Sequence, residues 1–231
     1  MPQRAVALLE VLLCSDIPTQ VALGGTLFAL GYPPKINGQF NITYVVASQV
    51  GDAVLLVGLI LALIYAHGER PRDVLFGRRP IAGEALLGVP LTLIALGIAI
   101  VVLLTVQRVA PSLHTVPENP LQQLLLTRRS AWLFAFTVIV AGGVREEVQR
   151  AFLLHRFDQW LGGRTVGLVV TSVAFGWGHL QVQGVDAAIA TGLLGAFWAA
   201  VYLRRRSCAA PMVSHAGFDL LQVVPYLFGR R

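Results

Sequence analysis

Residues 85–106, ALLGVPLTLIALGIAIVVLLTV, form a continuous apolar stretch without an ionisable side chain. A helix that crosses the hydrocarbon core of a bilayer needs about 20 residues of this kind. The whole chain has a similar character, because 55% of its 231 residues are hydrophobic, 13% are charged and the mean hydropathy is +0.68. Soluble domains carry about 25% charged residues. The composition therefore predicts an integral membrane protein.

Further apolar segments recur along the chain and predict an all-α polytopic transmembrane bundle of about seven helices, with six to eight as the range. The predicted membrane helices are 17–32, 43–66, 85–106, 131–157, 164–181, 185–203 and 208–228. Residues 5–14 are predicted as an interfacial helix, and the proline-containing segments 67–80 and 110–130 as loops. The small residues of 184–203 predict close packing of the sixth helix. We expect one membrane domain over residues 1–231.

Arginine is concentrated in short connections between the predicted helices. These arginines are Arg70, Arg72, Arg78, Arg79, Arg204, Arg205 and Arg206. This distribution is the positive-inside pattern of membrane proteins and does not indicate a nucleic-acid-binding surface. The side that includes the N-terminus carries more basic residues than the opposite side, which predicts a cytoplasmic N-terminus.

The N-terminal segment begins with Arg4 and an apolar run, as a signal peptide does. Glu10 interrupts the run, and Leu13 stands before Cys14 where a lipoprotein signal has a small residue. We therefore do not expect cleavage. The cysteines, Cys14 and Cys208, are far apart and lack the spacing of metal ligands. Both are predicted to pack in the interior.

Ionisable residues at membrane depth are costly and usually face the bundle interior, a partner or a water-filled cavity. The segment GGVREEVQRAF, residues 142–152, contains Glu146, Glu147 and Arg150. On a helix Glu146 is four residues and Glu147 three residues before Arg150. The arginine can therefore neutralise one carboxylate while the other stays free. Asp52, Glu84 and Asp186 stand alone or near predicted helix ends, and structural or interfacial roles are predicted for them.

Histidines occur in two further segments, FGWGH with His179 and HAGFD with His215 and Asp219. The spacing of four residues puts His215 and Asp219 on one helix face. A carboxylate base together with imidazoles that bind a metal or stabilise an oxyanion is what hydrolysis requires. The same charges would also serve a salt-bridge network or the proton relay of a transporter. A non-catalytic immunity or assembly factor is a further alternative.

The order of the motifs resembles the CPBP family of intramembrane proteases. The three motifs are, in order along the chain, Glu-Glu with a following Arg, Phe-x-x-x-His, and His-x-x-x-Asp or Asn. This family contains the type II CAAX prenyl endopeptidases and bacterial proteins linked to bacteriocin self-immunity. The resemblance covers about residues 131–221, the predicted catalytic core. It also includes the glycine-rich segment and the short basic turn that precede the last histidine.

The resemblance implies that Glu146 or Glu147 activates a water molecule, with His179 and His215 at the scissile carbonyl or at a metal ion. Asp219 would fill the family's Asn or Asp position, and Phe175 would pack beneath His179. Zn²⁺ bound by His179, His215 and a carboxylate is one expectation. A metal-free glutamate mechanism is the other.

One departure from the family pattern concerns the spacing, because only Val148 and Gln149 separate the glutamates from Arg150, where the family has three residues. Aligning on the glutamates makes Glu146 the base and Glu147 the partner of Arg150, and we prefer this alignment. Aligning on the arginine places Arg145 at the family's first glutamate. In that case the working carboxylate would be displaced, or the protein would be an inactive relative.

The combined prediction is an endopeptidase of the bacterial inner membrane that cuts a peptide bond near the bilayer surface. Its site would be a water-accessible cavity between the helices 131–157, 164–181 and 208–228. The expected partners are membrane lipids and a peptide or protein substrate with a membrane-embedded or lipidated segment.

Overall fold

The computed structural model describes residues 3–116 and 119–228, and it is almost entirely helical. Arg230 and Arg231, which were counted among the basic residues of the side opposite the N-terminus, lie outside the described residues. The α-helices are α1 (Gln3–Leu13), α2 (Ile17–Ala29), α3 (Ile42–Ala66), α4 (Ile81–Val109), α5 (Arg128–Val138), α6 (Glu147–Trp160), α7 (Arg164–Gln183), α8 (Val185–Arg205) and α9 (Ala209–Phe228). The all-α prediction is confirmed, with helix ends displaced by a few residues.

Several helices are long and apolar enough to cross a membrane, and the chain is an integral membrane protein. The candidate spans among the described residues are Gln3–Ala29, Ile42–Ala66, Arg72–Val109, Arg164–Gln183 and Val185–Arg205. The helix that carries the charge cluster and α9 are not among these spans. The count of about seven membrane helices therefore stays a prediction.

A small hairpin between α2 and α3 was not predicted. Strands β1 (Lys35–Ile36) and β2 (Gln39–Phe40) pair antiparallel, and the turn between them contains Asn37 and Gly38. Both turn residues have positive φ, 51° and 81°. Asn-Gly is the preferred sequence for such two-residue turns, because both residues tolerate this conformation.

The predicted helix 131–157 is present, but it is not regular. Between α5 and α6 the chain forms a π-helix, Ile139–Glu146, so that α5, the π-helix and α6 run continuously from 128 to 160. π-helical turns are rare and are frequent at functional sites. Gly143 lies in this segment, where an added Cβ would be 2.7 Å from the Cβ of Ala216 on α9. Glycine here allows the π-helix to approach α9.

Close helix contact also joins α7 and α8. An added Cβ at Gly176 would lie 2.6 Å from the carbonyl oxygen of Ala188 and 3.1 Å from the Cα of Gly192. The close packing predicted for the small residues of the sixth helix is therefore present. α7 continues to Gln183, two residues beyond its predicted end.

The isolated acids have partners elsewhere in the bundle. Glu84 accepts hydrogen bonds from Nε and Nη2 of Arg205 at 3.0 and 2.6 Å. Oδ2 of Asp186 lies 2.7 Å from Nδ1 of His114. These contacts agree with the structural roles predicted for both acids. The two cysteines, Cys14 and Cys208, are buried and free, as predicted.

α1 is anchored to α6 by a buried acid. Oε2 of Glu10 accepts from Nε of Arg156 at 2.6 Å, and Nη1 of Arg156 donates to Glu69 at 2.6 Å. Glu69 lies in the connection after α3 and also contacts His155 at 2.6 Å. Burial alone would raise the pKa of Glu69, but the hydrogen bonds from His155, Arg156 and Gln159 outweigh it and lower the pKa to about 2.

We expect Glu69→Gln to lower the unfolding temperature at pH 7 and to have a smaller effect as the pH falls from 4.5 toward about 2. A carboxylate whose pKa is lowered in the folded state stabilises fully above its unfolded pKa. That contribution is lost as the pH falls through the folded value. Thermal unfolding in detergent across this range measures the difference. Asp73→Asn, at an exposed acid of the same connection, is the control, and a pH-independent effect of Glu69→Gln would contradict the assignment.

Candidate active site

The centre of the polar cluster is the buried carboxylate of Glu147, in the first turn of α6. It forms an ion pair with Arg150, three residues later, and its Oε1 lies 2.8 Å from Nδ1 of His215 on α9. The side chains of Glu147, Arg150 and His215 are 1%, 4% and 5% exposed. An ionised carboxylate can only accept hydrogen bonds, so Nδ1 of His215 is the donor and Nε2 is left for other partners.

Two further carboxylates face Nε2 of His215. Oε2 of Glu146 is 3.8 Å away and Oδ2 of Asp219 is 3.7 Å away. Both distances are too long for a direct hydrogen bond and are of the kind that a water molecule can bridge. The side chains of Glu146 and Asp219 are 16% and 21% exposed. The cluster is therefore only partly closed.

Gly142 of the π-helix forms one wall of this space. An added Cβ would overlap Oδ2 of Asp219 and would lie 3.6 Å from Nε2 of His215. The glycine pair that begins the charged motif therefore has a steric reason, because Gly142 leaves room for the carboxylate and Gly143 lets α9 approach.

We expect Gly143→Ala to destabilise the protein by about 1–3 kcal/mol, the usual cost of overpacking. The methyl group would lie 2.7 Å from the Cβ of Ala216 and 3.2 Å from the carbonyl oxygen of Met212, and neither atom can rotate away. Chemical denaturation in detergent measures the loss. Gly58→Ala is the matched control, because that helical glycine has nothing within 4 Å of an added Cβ. Equal stability of the two variants would contradict the predicted crowding.

An aromatic side chain that the sequence did not single out stacks on His215. The rings of Trp198 and His215 are 3.8 Å apart at 18°, and the indole Nε1 of Trp198 donates to Oγ of Ser214 at 3.1 Å. Trp198 belongs to α8, for which the sequence indicated packing alone. It limits the orientations that the imidazole can adopt.

His179 contacts Phe175, which precedes it by one helical turn on α7. Its Nδ1 contacts the carbonyl oxygen of Phe175 at 2.8 Å, and its ring is 4.8 Å from the ring of Phe175. The predicted contact between these two residues is present. The ring of Phe175 also lies 5.9 Å from that of His215. In the described part of the chain, His179 makes no hydrogen bond or ion pair with Glu146, Glu147, His215 or Asp219.

Arg145 contacts the turn before α2, helix α3 and the neighbouring glutamate. It contacts Asp16, Asp52 and Glu146, with Nε 3.4 Å from Oδ2 of Asp52 and Nη2 donating to Oε1 of Glu146 at 3.2 Å. The pairing of Arg150 with Glu147 is the one predicted by aligning on the two glutamates. The chemical roles assigned to these side chains stay predictions.

The expected three-ligand zinc site would use His179, His215 and one carboxylate. Within residues 3–116 and 119–228, no three His, Cys, Asp or Glu side chains are arranged to hold a metal ion. Nδ1 of His179 contacts the carbonyl oxygen of Phe175, and Nδ1 of His215 contacts Glu147. Each histidine could therefore bind a metal ion only through Nε2. Zinc dependence stays a prediction.

The predicted cavity between the three helices also stays a prediction. A cavity of about 80 Å³ among the described residues lies against α1 and α6. Its lining residues are Gln3, Val6, Ala7, Glu10, His67, Arg156 and Trp160.

A model of one known family matches this region of the chain. The family model described as type II CAAX prenyl endopeptidase Rce1-like matches residues 127–221. The matched segment runs from the start of α5 into α9 and contains the whole polar cluster. No curated protein and no solved structure matches the chain. The resemblance to the CPBP proteases is confirmed by this match.

Proposed function

We propose that the chain is an intramembrane endopeptidase, because its residues 127–221 match the family model described as type II CAAX prenyl endopeptidase Rce1-like. It would hydrolyse a peptide bond in a membrane-associated or lipidated substrate. The observation that carries the proposal is the position of His215, whose Nε2 faces Glu146 and Asp219 at 3.8 and 3.7 Å. A water molecule bound between these groups would be the nucleophile.

Glu146 is the proposed general base. Its Oε2 would take a proton from the water as the oxygen attacks the scissile carbonyl carbon, and would then give the proton to the leaving nitrogen. Nε2 of His215, when protonated, would donate to the carbonyl oxygen as negative charge develops there. Asp219 would accept a hydrogen bond from the second O–H group of the water and so orient it.

Glu147 and Arg150 would support this arrangement without touching the substrate. Their ion pair fixes the carboxylate that holds Nδ1 of His215. His179 donates from Nδ1 to a carbonyl oxygen, which leaves Nε2 unprotonated in the neutral ring. We propose that this Nε2 contacts the substrate next to the Phe175 ring.

Zinc would supply a polarised water if bound by His179 and His215, and no step above depends on it. A metal-dependent enzyme would lose activity on chelation and regain it with Zn²⁺, with about one zinc per chain by elemental analysis. A glutamate mechanism predicts full activity after chelation.

The family description supports a substrate with a prenylated cysteine near its C-terminus. A suitable test uses a quenched fluorescent peptide with a farnesylated cysteine followed by three residues, and purified protein in lipid nanodiscs. Cleavage by the wild type, and not by Glu146→Gln, supports the proposal. Failure to cleave this peptide, its unprenylated form and a transmembrane peptide would overturn it.

A second candidate is a non-catalytic immunity or assembly factor. The observation in its favour is the shortened spacing before Arg150. In addition, among the described residues His179 makes no hydrogen bond or ion pair with the carboxylates. For such a factor, the Glu146→Gln variant expressed in a deletion strain would restore the wild-type phenotype fully. We also propose that the protein lies in a bacterial inner membrane. The distribution of its arginines supports a cytoplasmic N-terminus.

A further inference from the structure

Three carboxylates from separate parts of the chain surround the guanidinium of Arg145. Asp16 belongs to the turn between α1 and α2, Asp52 to α3, and Glu146 to the end of the π-helix. The side chains of Arg145 and Asp52 are 4% and 0% exposed, whereas that of Asp16 is 31% exposed. Asp16 and Asp52 lie outside residues 127–221.

The two oxygens of Glu146 have different surroundings. Oε1 accepts from Nη2 of Arg145 at 3.2 Å, and Oε2 faces Nε2 of His215. The position of the proposed base therefore depends on how Arg145 shares its donors. Nη1 goes to Asp16 and Nη2 also reaches Gln49 at 3.4 Å.

The sharing is incomplete at Asp52. Nε of Arg145 and Oδ1 of Asp52 are buried, and neither has a hydrogen-bond partner in the described part of the chain. Nε lies 3.4 Å from Oδ2 of Asp52 as an ion pair without a hydrogen bond. Arg145 is therefore held at Asp52 by charge, and its hydrogen-bonding capacity toward another carboxylate is not exhausted.

Other side chains fix the two aspartates. Nε2 of Gln149 donates to the carbonyl oxygen of Cys14 at 2.7 Å and to Oδ1 of Asp16 at 2.9 Å. Nε2 of Gln20 donates to Oδ2 of Asp52 at 3.2 Å. Gln149 is one of the two residues between the glutamates and Arg150, so the charged motif itself binds the turn before α2.

We propose that Asp16 and Asp52 are positioning residues for Glu146, acting through Arg145. By engaging the guanidinium they limit it to one oxygen of Glu146 and leave Oε2 for the water. Arginine prefers to bind a carboxylate with two parallel hydrogen bonds. Without its aspartate partners, Arg145 would bind both oxygens of Glu146 and draw the base away from His215. This inference rests on the proposed protease function.

The decisive variant is Asp16→Asn, which keeps the size of the side chain and removes its charge. Asparagine also tolerates the positive φ of 71° at this position. We expect kcat to fall about 10- to 100-fold, as for other small displacements of a catalytic group, with KM changed less than about twofold. The assay uses the farnesylated quenched peptide and the full chain in nanodiscs.

Double substitution separates positioning from a merely structural role. Asp16→Asn combined with Arg145→Gln removes the guanidinium that would capture Glu146 and keeps an N–H donor for Oε1. This variant is expected to recover most of the lost kcat, whereas a structural role predicts additive losses. Asp16→Glu restores the charge and is expected to rescue partly. Asp158→Asn, an acid paired with Arg164 and Arg206 at the end of α6, is the control with unchanged kcat.

Each outcome is informative. Wild-type kcat in Asp16→Asn, or additive losses in the double variant, overturns the positioning role while leaving the protease function intact. Wild-type protein that cleaves no peptide overturns the proposed function first, and this inference with it. Asp52→Asn is the second probe, and Asp16→Asn remains decisive if the buried variant fails to fold.

Discussion

Replacing Glu146 by glutamine is expected to lower kcat at least about 100-fold while the protein stays folded. Proton transfer by a positioned base typically contributes about 10²- to 10⁴-fold, and an amide cannot accept the proton of water. Oε2 of Glu146 is the carboxylate oxygen that faces Nε2 of His215, and the side chain is 16% exposed. The change in kcat is measured with the farnesylated peptide, and folding is checked by thermal unfolding.

Two comparisons make this expectation specific. Glu69→Gln removes a carboxylate from the connection after α3, next to His155 and Arg156, and it should leave kcat unchanged. An active Glu146→Gln together with a folded but inactive Glu147→Gln would move the role of base to Glu147. Retained activity in both variants would exclude a base from this pair.

The helical architecture was predictable because a membrane helix must be predominantly apolar along its length. That requirement is visible locally in residues such as 85–106 and needs no knowledge of neighbours. The π-helix was not predictable in the same way. Gly142 and Gly143 are compatible with a π-turn. However, these glycines pack against Asp219 and Ala216 of α9, which lie more than 70 positions away in the sequence.

The site shows the same division between local and distant contacts. Helical spacing predicted that Arg150 pairs with Glu146 or Glu147 and that His215 lies close to Asp219, since these contacts lie within about one turn. The choice of Glu147 came from the alignment on the two glutamates. Contacts between helices depend on which faces pack together. The stacking of Trp198 on His215 and the ion pair of Arg145 with Asp16 join separate elements, and no single-sequence pattern specifies them. The convergence of His179 with the carboxylates stays a prediction, and the ring of Phe175 contacts both His179 and His215.

Arg150→Met is expected to cause the largest loss of stability, about 3–5 kcal/mol. Removing one partner of a buried ion pair leaves the other charge desolvated and uncompensated. Here the stranded charge would be Glu147, which is 1% exposed. Methionine keeps much of the volume of arginine but loses the guanidinium, which also lies 4.6 Å from the centre of the Phe175 ring. Unfolding by denaturant in mixed micelles gives the change in free energy.

The double variant Glu147→Gln with Arg150→Met should recover much of this loss, because no unpaired charge remains in the interior. Arg164→Met is the matched control, since Arg164 pairs with Asp158 at the protein surface and its side chain is 57% exposed. Surface pairs of this kind contribute about 0–1 kcal/mol. If Arg150→Met lowered the free energy of unfolding no more than Arg164→Met does, the pair Glu147–Arg150 would not be desolvated. The charge of Glu147 would then not require Arg150 as its partner beside His215. A large loss that the double variant restores would instead show that the charge of Arg150 is required because Glu147 is buried.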